Sequence, residues 1–395
     1  VVGLLVYILF GQDYRRNKLF SRKKAVDRDF IDNYAEEQLL LSKNRQLVVD
    51  EQVRSKEKII NLLLQNNRSF LTSNNKIEML VNGEHKFPVL IEDLKNARHH
   101  IHIEYYIFDD DKIGNELVEI LCQKAREGVE VRFVYDDVGT SHIAKTFKNA
   151  FAKAGVMSYP FMPVYIPQLS KANFRDHRKI VVIDGKIGYT GGINVADRYI
   201  NQGTQRYWRD THMKVSGEAV RSLQVVFMLN WYFVSNQTLS FSEDYFPSLE
   251  HYGTQCMQII ASGPDSDWAS IMQAFFLAIS TATDHILITS PYFIPNESIL
   301  TALKTVSMSG VRVELIYPYV SDSTIVQAAS MSYMKEILEA GVRIFLYTKG
   351  FIHSKTIVVD GVLSSVGTAN MDYRSFDQNF EVNAMIYDTE VARQL

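Results

Sequence analysis

Apolar runs of strand length alternate with helical patterns through most of this chain. Residues 100–108 (HIHIEYYIF) and 129–135 (VEVRFVY) are rich in β-branched and aromatic residues, as strands are. Between them, residues 112–127 place apolar side chains at helical spacing. This order predicts an α/β fold.

The same order of elements returns later in the chain. Strand patterns at 285–288 and 311–317 enclose a helical pattern at 298–309. This recurrence indicates two homologous halves. A stretch rich in Ser, Asn and acidic residues at 235–254 is the predicted connector between them.

The two halves agree most closely in one motif. HRKIVVIDG begins at His177 and HSKTIVVDG begins at His353, and each is followed by a glycine and an asparagine. The matched residues hold a constant offset of 176 positions. The matched pairs are His177 with His353, Lys179 with Lys355, Asp184 with Asp360, and Asn194 with Asn370.

These residue types suit chemistry at phosphorus. Side chains two apart on a strand share a face, so each histidine and its lysine should project together. Imidazole serves as a nucleophile or as a general acid and base, and a lysine charge stabilises phosphate oxygens. Two such sets around one phosphodiester would let one histidine attack phosphorus while the other protonates the leaving oxygen.

The two aspartates of the motif have an alternative interpretation. We count Asp184 and Asp360 with the catalytic set, but Asp-Gly after an apolar run is also a hairpin signal. In that case they form turns and structural ion pairs. The sequence predicts neither a metal site nor a cofactor, because it has no zinc-type ligand spacing and no phosphate-binding glycine loop.

Composition narrows the function further. The 395 residues are 46% hydrophobic, which excludes wholesale disorder, and the net charge is −3. A protein that grips nucleic acid usually has a basic surplus, so we expect no nucleic-acid partner. The two cysteines, Cys122 and Cys256, are too few for a disulfide scaffold.

The N-terminal edge predicts membrane attachment. Residues 1–10 (VVGLLVYILF) are almost wholly apolar, and six basic residues follow within positions 15–24. This pattern is typical of the cytoplasmic end of a membrane helix, here the end of a truncated one, and the cluster would attract anionic lipids. The alternative is a buried element followed by solvated charges.

From about residue 59 onward the sequence resembles the phospholipase D superfamily, whose mark is H-x-K-x4-D followed by G-G/S-x-N. Within that superfamily it is most similar to the bacterial cardiolipin synthases. Two departures stand beside the motifs: Asp176 replaces a common asparagine, and Thr368 replaces a serine. The stretches that carry the resemblance include HIEYYIFDDDKIG (102–114), GVEVRFVYDDVGT (128–140), YWRDTHMKVSG (207–217) and NMDYRSFDQNFEVN (370–383).

The resemblance implies two phospholipase D-like α-β-α sandwich halves that form one active site on a pseudo-twofold axis. The expected division is a membrane-helix end at 1–11, a basic and helical linker at 12–68, and domains at 69–240 and 252–395. It also implies a bacterial membrane enzyme with its catalytic part on the cytoplasmic side.

The implied reaction is phosphatidyl transfer between two phosphatidylglycerol molecules, without a cofactor. His177 would form a phosphohistidine, His353 would act as acid and base, and the lysines and asparagines would hold the phosphate oxygens. A nucleophilic imidazole needs an acceptor at its far nitrogen. Asp210 and Glu381, which follow their respective histidines by 33 and 28 residues, are the candidates, with surface ion pairing as their alternative.

Three other functions stay open: a hydrolytic phospholipase D that releases phosphatidic acid, a superfamily nuclease, and an inactive membrane-bound binding protein. The sequence leaves the identity of the acceptor alcohol and the oligomeric state undetermined.

Overall fold

Two mixed β-sheets of seven strands each form the centre of the protein. The computed structural model describes residues 51–140, 145–164, 173–201 and 206–395. The first sheet contains β1 (Asn75–Val81), β2 (His100–Tyr105), β3 (Glu130–Asp136), β4 (Met157–Phe161), β5 (Lys179–Ile183), β6 (Ile187–Gly191) and β8 (Thr211–Gly217). The second contains β9 (Cys256–Ser262), β10 (His285–Thr289), β12 (Arg312–Pro318), β13 (Arg343–Tyr347), β15 (Thr356–Val359), β16 (Leu363–Gly367) and β18 (Glu381–Tyr387).

The two sheets have the same topology. Their strand orders are β4-β3-β2-β5-β6-β8-β1 and β13-β12-β10-β15-β16-β18-β9. In each sheet the first three strands of this order are parallel, and the remaining pairings are antiparallel. The predicted fold of two homologous α/β halves is therefore confirmed.

Amphipathic helices cover the outer face of each sheet. In the first half these are α3 (Asn82–Asn96), α4 (Lys112–Arg126) and α5 (Lys145–Ala154). In the second half they are α7 (Ser270–Ser280), α8 (Glu297–Met308) and α9 (Thr324–Glu339). Helix α4 shows why they form: the Asp111 side chain caps its first turn, and Leu117 and Leu121 bury one face at helical spacing.

The inner faces of the two sheets pack against each other. Ile180 and Val182 of β5 share a buried cluster with Val382 and Ala384 of β18. Helix α6 (Ala219–Ser235), apolar on nearly every side, fills the rest of this layer, while α10 (Tyr373–Asp377) and α11 (Thr389–Gln394) are short. This packing brings the two motif strands, β5 and β15, to one interface.

Two small parallel sheets complete the core of the fold. Strand β7 (Tyr207–Arg209) pairs with β14 (Gly350–Ile352), which joins the two halves directly. Strand β11 (Phe293–Ile294) pairs with β17 (Met371–Asp372) within the second half.

The helical segment before the first sheet packs on the second half. Helices α1 (Glu51–Arg54) and α2 (Glu57–Asn67) bury Ile59 and Leu63 against the core that includes α7. The Lys56 ammonium lies 2.7 Å from an Asp360 oxygen.

The expected membrane-helix end at 1–11 and its basic cluster lie outside the described residues. Within the ranges that are described, no helix combines the length and apolar character needed to cross a bilayer. Helix α6 ends at Ser235 and β9 begins at Cys256, so the predicted connector lies between the halves. The finer domain boundaries stay a prediction.

Candidate active site

The two motif histidines lie at the interface between the halves, just before strands β5 and β15. The His177 backbone N–H donates to the Phe380 carbonyl across the interface (2.9 Å), and the His353 N–H donates to the Arg209 carbonyl (2.7 Å). Both histidines and both motif lysines are buried. Besides burial, the charge of Lys355 lowers the pKa of His177 and that of Lys179 lowers the pKa of His353, so the structure brings all four residues into one site.

Each histidine is held by a carboxylate of the opposite half. His177 Nδ1 lies 3.0 Å from the Glu381 carboxylate, and His353 Nδ1 lies 2.7 Å from Asp210 Oδ2. An ionised carboxylate can only accept, so Nδ1 carries the proton and the lone pair of the neutral imidazole lies on Nε2. Both residues are those named from the sequence.

The pairing expected from the sequence is wrong, because it assigned each carboxylate to the histidine of its own half. Asp210 directly precedes β8, and Glu381 is the first residue of β18. Face-to-face packing of the sheets places the start of each of these strands opposite the motif of the other half. Proximity in sequence therefore gave the wrong partner.

The two carboxylates are supported differently. Glu381 accepts hydrogen bonds from the Thr368 hydroxyl (2.5 Å) and the Asn379 amide (3.1 Å). Asp210 instead fits against Gly192, where a Cβ would lie 2.1 Å from Asp210 Oδ1. Gly192 and Thr368 occupy equivalent motif positions, so the same place is empty in one half and provides a hydroxyl in the other.

Asn82 is a contact of the site that the sequence analysis missed. Its side-chain oxygen accepts from the Asp210 N–H, and its own N–H donates to the Asp210 carbonyl, both at 2.9 Å. Asn82 has a φ of 60°, a left-handed conformation that asparagine tolerates. The Asn-Gly pair at 82–83 was the available signal.

The two lysines form a buried cationic pair. Each ammonium donates to the carbonyl of its own motif histidine, at 2.6 Å for Lys179. Burial lowers the pKa of Lys179 to about 7 and that of Lys355 to about 8, and the charge of Lys355 further lowers the pKa of Lys179. An anion between them would offset both the burial and the repulsion.

The histidines are neutral near neutral pH. Burial lowers the pKa of both His177 and His353 to about 4, against the opposing effect of their carboxylate partners. Burial acts to raise the pKa of Glu381, but the neighbouring His177 and Lys179 bring it to about 2. A neutral imidazole with a fixed far nitrogen is the form a nucleophile requires.

The two motif asparagines differ in their contacts. The Asn194 amide donates to the Tyr199 hydroxyl (2.8 Å), and its oxygen accepts from the Ile107 N–H (3.2 Å). The buried Asn370 side-chain oxygen has no hydrogen-bond partner within the described ranges. Contact of either residue with a phosphate stays a prediction.

The structure does not bring Asp184 and Asp360 to the histidines. Asp184 accepts from the N–H groups of residues 98–100 (2.8–3.0 Å), and Asp360 accepts from those of residues 283–285. Each also has a positive φ in a tight turn with the following glycine. Their inclusion in the catalytic set is corrected: they tie the β5–β6 and β15–β16 turns to the starts of β2 and β10.

Aromatic side chains that the sequence analysis did not single out line the site. The Tyr106 ring lies 5.0 Å from that of His177. Around His353 lie the rings of Trp208 (5.7 Å), Phe351 (5.8 Å) and Tyr199 (5.9 Å). For Tyr199, Trp208 and Phe351 the signal was position alone, since each stands within a few residues of Asn194, Asp210 or His353; Tyr106 had no such signal.

A buried acid stands beside the first histidine. Burial and the neighbouring charge of Glu104 raise the pKa of Asp176 well above its ordinary value. The Asn230 amide donates to Glu104 at 2.8 Å. A protonated Asp176 resembles the asparagine that the sequence comparison expected at this position.

The site has the composition of an anion site. Within the described part of the chain, no group of three or more His, Cys, Asp or Glu side chains is arranged to hold a metal ion. The geometry joins two neutral imidazoles, two buried ammonium groups and two orienting carboxylates, which suits displacement at a phosphodiester.

Comparisons with known proteins agree with this geometry. The family profile described as "Cardiolipin synthase, PLD-like domain" matches residues 90–223 and 276–395. A cardiolipin synthase of Geobacillus sp. (strain WCH70) is 44% identical over all of this chain and 78% of its own length. One from Listeria monocytogenes serotype 4a (strain HCC23) is 40% identical over all of this chain and 83% of its own length.

Solved structures share the fold at low sequence identity. Phosphatidylserine synthase from Haemophilus influenzae Rd KW20 superposes with a TM-score of 0.64 at 16% identity, covering 87% of this chain and 88% of its own. Polyphosphate kinase from Porphyromonas gingivalis gives a TM-score of 0.53 at 11% identity, over 81% of this chain and 49% of its own.

Proposed function

The chain belongs to the cardiolipin synthase family of phospholipase D-like proteins, and we propose that it joins two phosphatidylglycerol molecules into cardiolipin and glycerol. The observation that carries this proposal is the pair of crossed histidine–carboxylate contacts around two buried lysines. A two-step transfer needs a nucleophile and an acid–base group on opposite sides of one phosphorus, and two homologous histidines at one interface supply both.

In the first step, His177 Nε2 attacks the phosphorus of the donor lipid. When the anionic phosphate binds, His353 takes up a proton on Nε2 from solvent. The bond from phosphorus to the glycerol headgroup oxygen then breaks, and His353 gives that proton to the oxygen. Glycerol leaves, and the phosphatidyl group stays bound to His177. Glu381 holds the Nδ1 proton of His177 and balances the positive charge that develops on the ring.

In the second step, a headgroup hydroxyl of the acceptor lipid attacks the phosphorus. His353 takes the hydroxyl proton, the bond between phosphorus and His177 breaks, and cardiolipin is released. Asp210 holds His353 in the orientation that both proton transfers need. The free enzyme is thereby restored without a cofactor.

Lys179 and Lys355 would contact the non-bridging phosphate oxygens. Their lowered pKa values report the cost of two neighbouring buried cations, which an anionic phosphate relieves. The unpartnered Asn370 oxygen marks a carboxamide whose NH2 group can turn toward the same phosphate, while Asn194 acts together with Tyr199.

We assign His177 as the nucleophile and His353 as the acid and base. Aromatic rings surround His353, which suits the site where an alcohol must enter and water must be kept out. Among the described residues, His177 has a single ring contact, to Tyr106. Hydrolysis to phosphatidic acid is the second candidate, because the same residues would serve if water reached the phosphohistidine.

The relatives are bacterial cardiolipin synthases, so this chain is a membrane-associated enzyme with a phospholipid substrate. We further place its catalytic part on the cytoplasmic side, on an anionic membrane surface, with no nucleic-acid partner. The basic cluster at 15–24 and the net charge of −3 support these finer assignments.

The test is a lipid product assay with phosphatidylglycerol in detergent micelles. We expect equal amounts of cardiolipin and glycerol, and loss of both in His177→Ala and His353→Ala. Phosphatidic acid and glycerol in equal amounts without cardiolipin would indicate hydrolysis, and cleavage of DNA without lipid turnover would indicate a nuclease. Either result would overturn the proposal.

A further inference from the structure

Four exposed apolar side chains stand in the segments that follow strands β3 and β12, next to the two-histidine site, and we call them the apolar rim. They are Val138 (43% exposed), Tyr319 (57%), Val320 (51%) and Ile325 (81%). Tyr319 and Val320 directly follow β12, and Ile325 lies in the first turn of α9. Side chains of this kind are rarely left exposed together without a partner surface.

A chain of contacts links the second-half part of the rim to His353. The Arg206 guanidinium donates to the carbonyls of Val320 and Ser321. Its centre lies 4.8 Å from the centroid of the Phe351 ring, which in turn lies 5.8 Å from the His353 ring. The rim therefore borders the site and not a distant face.

Val138 places the first half on the same surface. It stands two residues after β3, as Val320 stands two residues after the equivalent strand β12. The Asp136 carboxylate just before it accepts from the Asp176 N–H at 2.9 Å, beside His177. Val138 and Val320 thus hold equivalent places at the ends of equivalent strands, one beside each histidine.

The contrast with the rest of the first half supports a specific role. Among its described residues, Val138 is the one large apolar side chain that stands exposed. The single exception to a well-covered surface thus lies at the site.

Cations accompany the rim. Arg206 borders Val320, and the Lys349 ammonium lies 4.2 Å from the Tyr207 ring centroid on the adjoining strands β7 and β14. One exposed carboxylate, Asp322, also lies between Val320 and Ile325 and accepts from the Tyr292 hydroxyl (2.8 Å). The match to the boundary between acyl chains and anionic headgroups therefore rests on the apolar and tyrosine side chains with Arg206 and Lys349.

We propose that the apolar rim docks the active-site opening onto an anionic phospholipid bilayer. Val138, Val320 and Ile325 enter the acyl boundary, and Arg206 and Lys349 face lipid phosphates. A substrate phosphate then passes from the membrane to the lysine pair without crossing bulk water. The inference rests on the proposed function, because it takes the bilayer that holds the substrate as the partner.

The first test compares two physical forms of one substrate. Val320→Ser/Ile325→Ser should lower cardiolipin formation on phosphatidylglycerol vesicles by about tenfold or more, since it removes apolar area from the bilayer contact. On short-chain phosphatidylglycerol below its micelle concentration, the rate should stay within about twofold of the unaltered protein. Met308→Ser is the matched control: Met308 is 69% exposed, but it ends α8 at the other end of β12.

The second test reports contact directly. An environment-sensitive fluorophore on Ile325→Cys should shift to the blue with phosphatidylglycerol vesicles, and one on the exposed outer-helix variant Glu119→Cys should not; Cys122 and Cys256 are buried. A shift that appears without lipid and grows with protein concentration would show contact between copies and overturn docking. Equal losses on vesicles and short-chain lipid would also overturn it, whereas no cardiolipin from either form would refute the proposed function instead.

Discussion

The two histidines have the same nearest polar partners but different aromatic surroundings. Each has a lysine two residues on and a carboxylate from the opposite half. Beyond these, and within the part of the chain that the structure describes, three aromatic rings lie around His353, whereas one ring, that of Tyr106, lies against His177. Any displacement at phosphorus needs the partners that the two histidines share. The difference in their aromatic surroundings supports different tasks for the two histidines.

The contacts that hold the two carboxylates also differ between the halves. Glu381 accepts from two side-chain donors, Thr368 and Asn379. The Asp210 carboxylate accepts from the Thr211 backbone N–H (2.7 Å) and occupies the space at Gly192, and Asn82 holds the Asp210 backbone. A homologous pair can thus keep one geometry with different chemistry around it. The following predictions test where the equivalence between the halves ends.

The largest effect is expected at the equivalent positions 192 and 368. Gly192→Ala places a methyl group 2.1 Å from Asp210 Oδ1, so the carboxylate must leave His353. We expect kcat to fall about 10³- to 10⁴-fold, as when the acid of a catalytic triad is lost. Thr368→Ala removes the hydrogen bond to Glu381 and the hydroxyl's contacts with the Val382 backbone, but it leaves the space of the carboxylate unchanged, and it should cost about 10- to 100-fold. Glycerol release measures both, with thermal unfolding as the folding control, and the reverse order would contradict the difference in support.

A double-mutant cycle tests the crossed pairing. Because Asp210 acts through His353, Asp210→Asn should add less than about threefold to the loss caused by His353→Ala. Glu381→Gln acts through His177 and should lower the remaining activity of His353→Ala by about 10³-fold. The measurement is kcat/KM with labelled phosphatidylglycerol. Pairing within each half would give the opposite pattern.

The rings of Tyr199, Trp208 and Phe351 around His353, which we call the aromatic wall, should govern whether an alcohol or water attacks the phosphohistidine. Trp208→Ala opens the side of His353 to solvent, so the ratio of phosphatidic acid to cardiolipin should rise by about tenfold. Lipid chromatography measures that ratio. Trp268→Ala, which removes an indole that is 57% exposed, is the control and should leave the ratio unchanged. An unchanged ratio in Trp208→Ala would deny the wall this role.

The smallest effect is expected at Asp176. Its raised pKa means that the folded protein loses stability as pH rises from the ordinary aspartate pKa up to the raised one, because in that window the unfolded chain is ionised and the folded protein is still protonated. The variant Asp176→Asn cannot ionise at this position. The free energy of unfolding of the variant should therefore equal that of the unaltered protein at pH 3 and exceed it by on the order of 1 kcal/mol at alkaline pH. Denaturant unfolding across pH checks this. The control Asp244→Asn, at an exposed carboxylate, should show no such trend.

The sequence predicted the repeat well because matched motifs fix strand positions directly. The Asp-Gly signal also pointed to turns at Asp184 and Asp360, although the family motif had placed them in the catalytic set. Partners across the interface could not be predicted, since Glu381 and Asp210 reach the opposite histidines only through packing of the two sheets. The aromatic wall was missed because Trp208 and Phe351 follow no repeat between the halves.

The division of tasks between the histidines is tested most directly by a single-turnover experiment. The donor is a phosphatidyl ester of p-nitrophenol, whose leaving group needs no proton and so makes His353 dispensable in the first step. The account predicts a burst of one nitrophenolate per enzyme in His353→Ala, with the phosphatidyl group retained on the protein, and no burst in His177→Ala. A burst in His177→Ala and none in His353→Ala would contradict it.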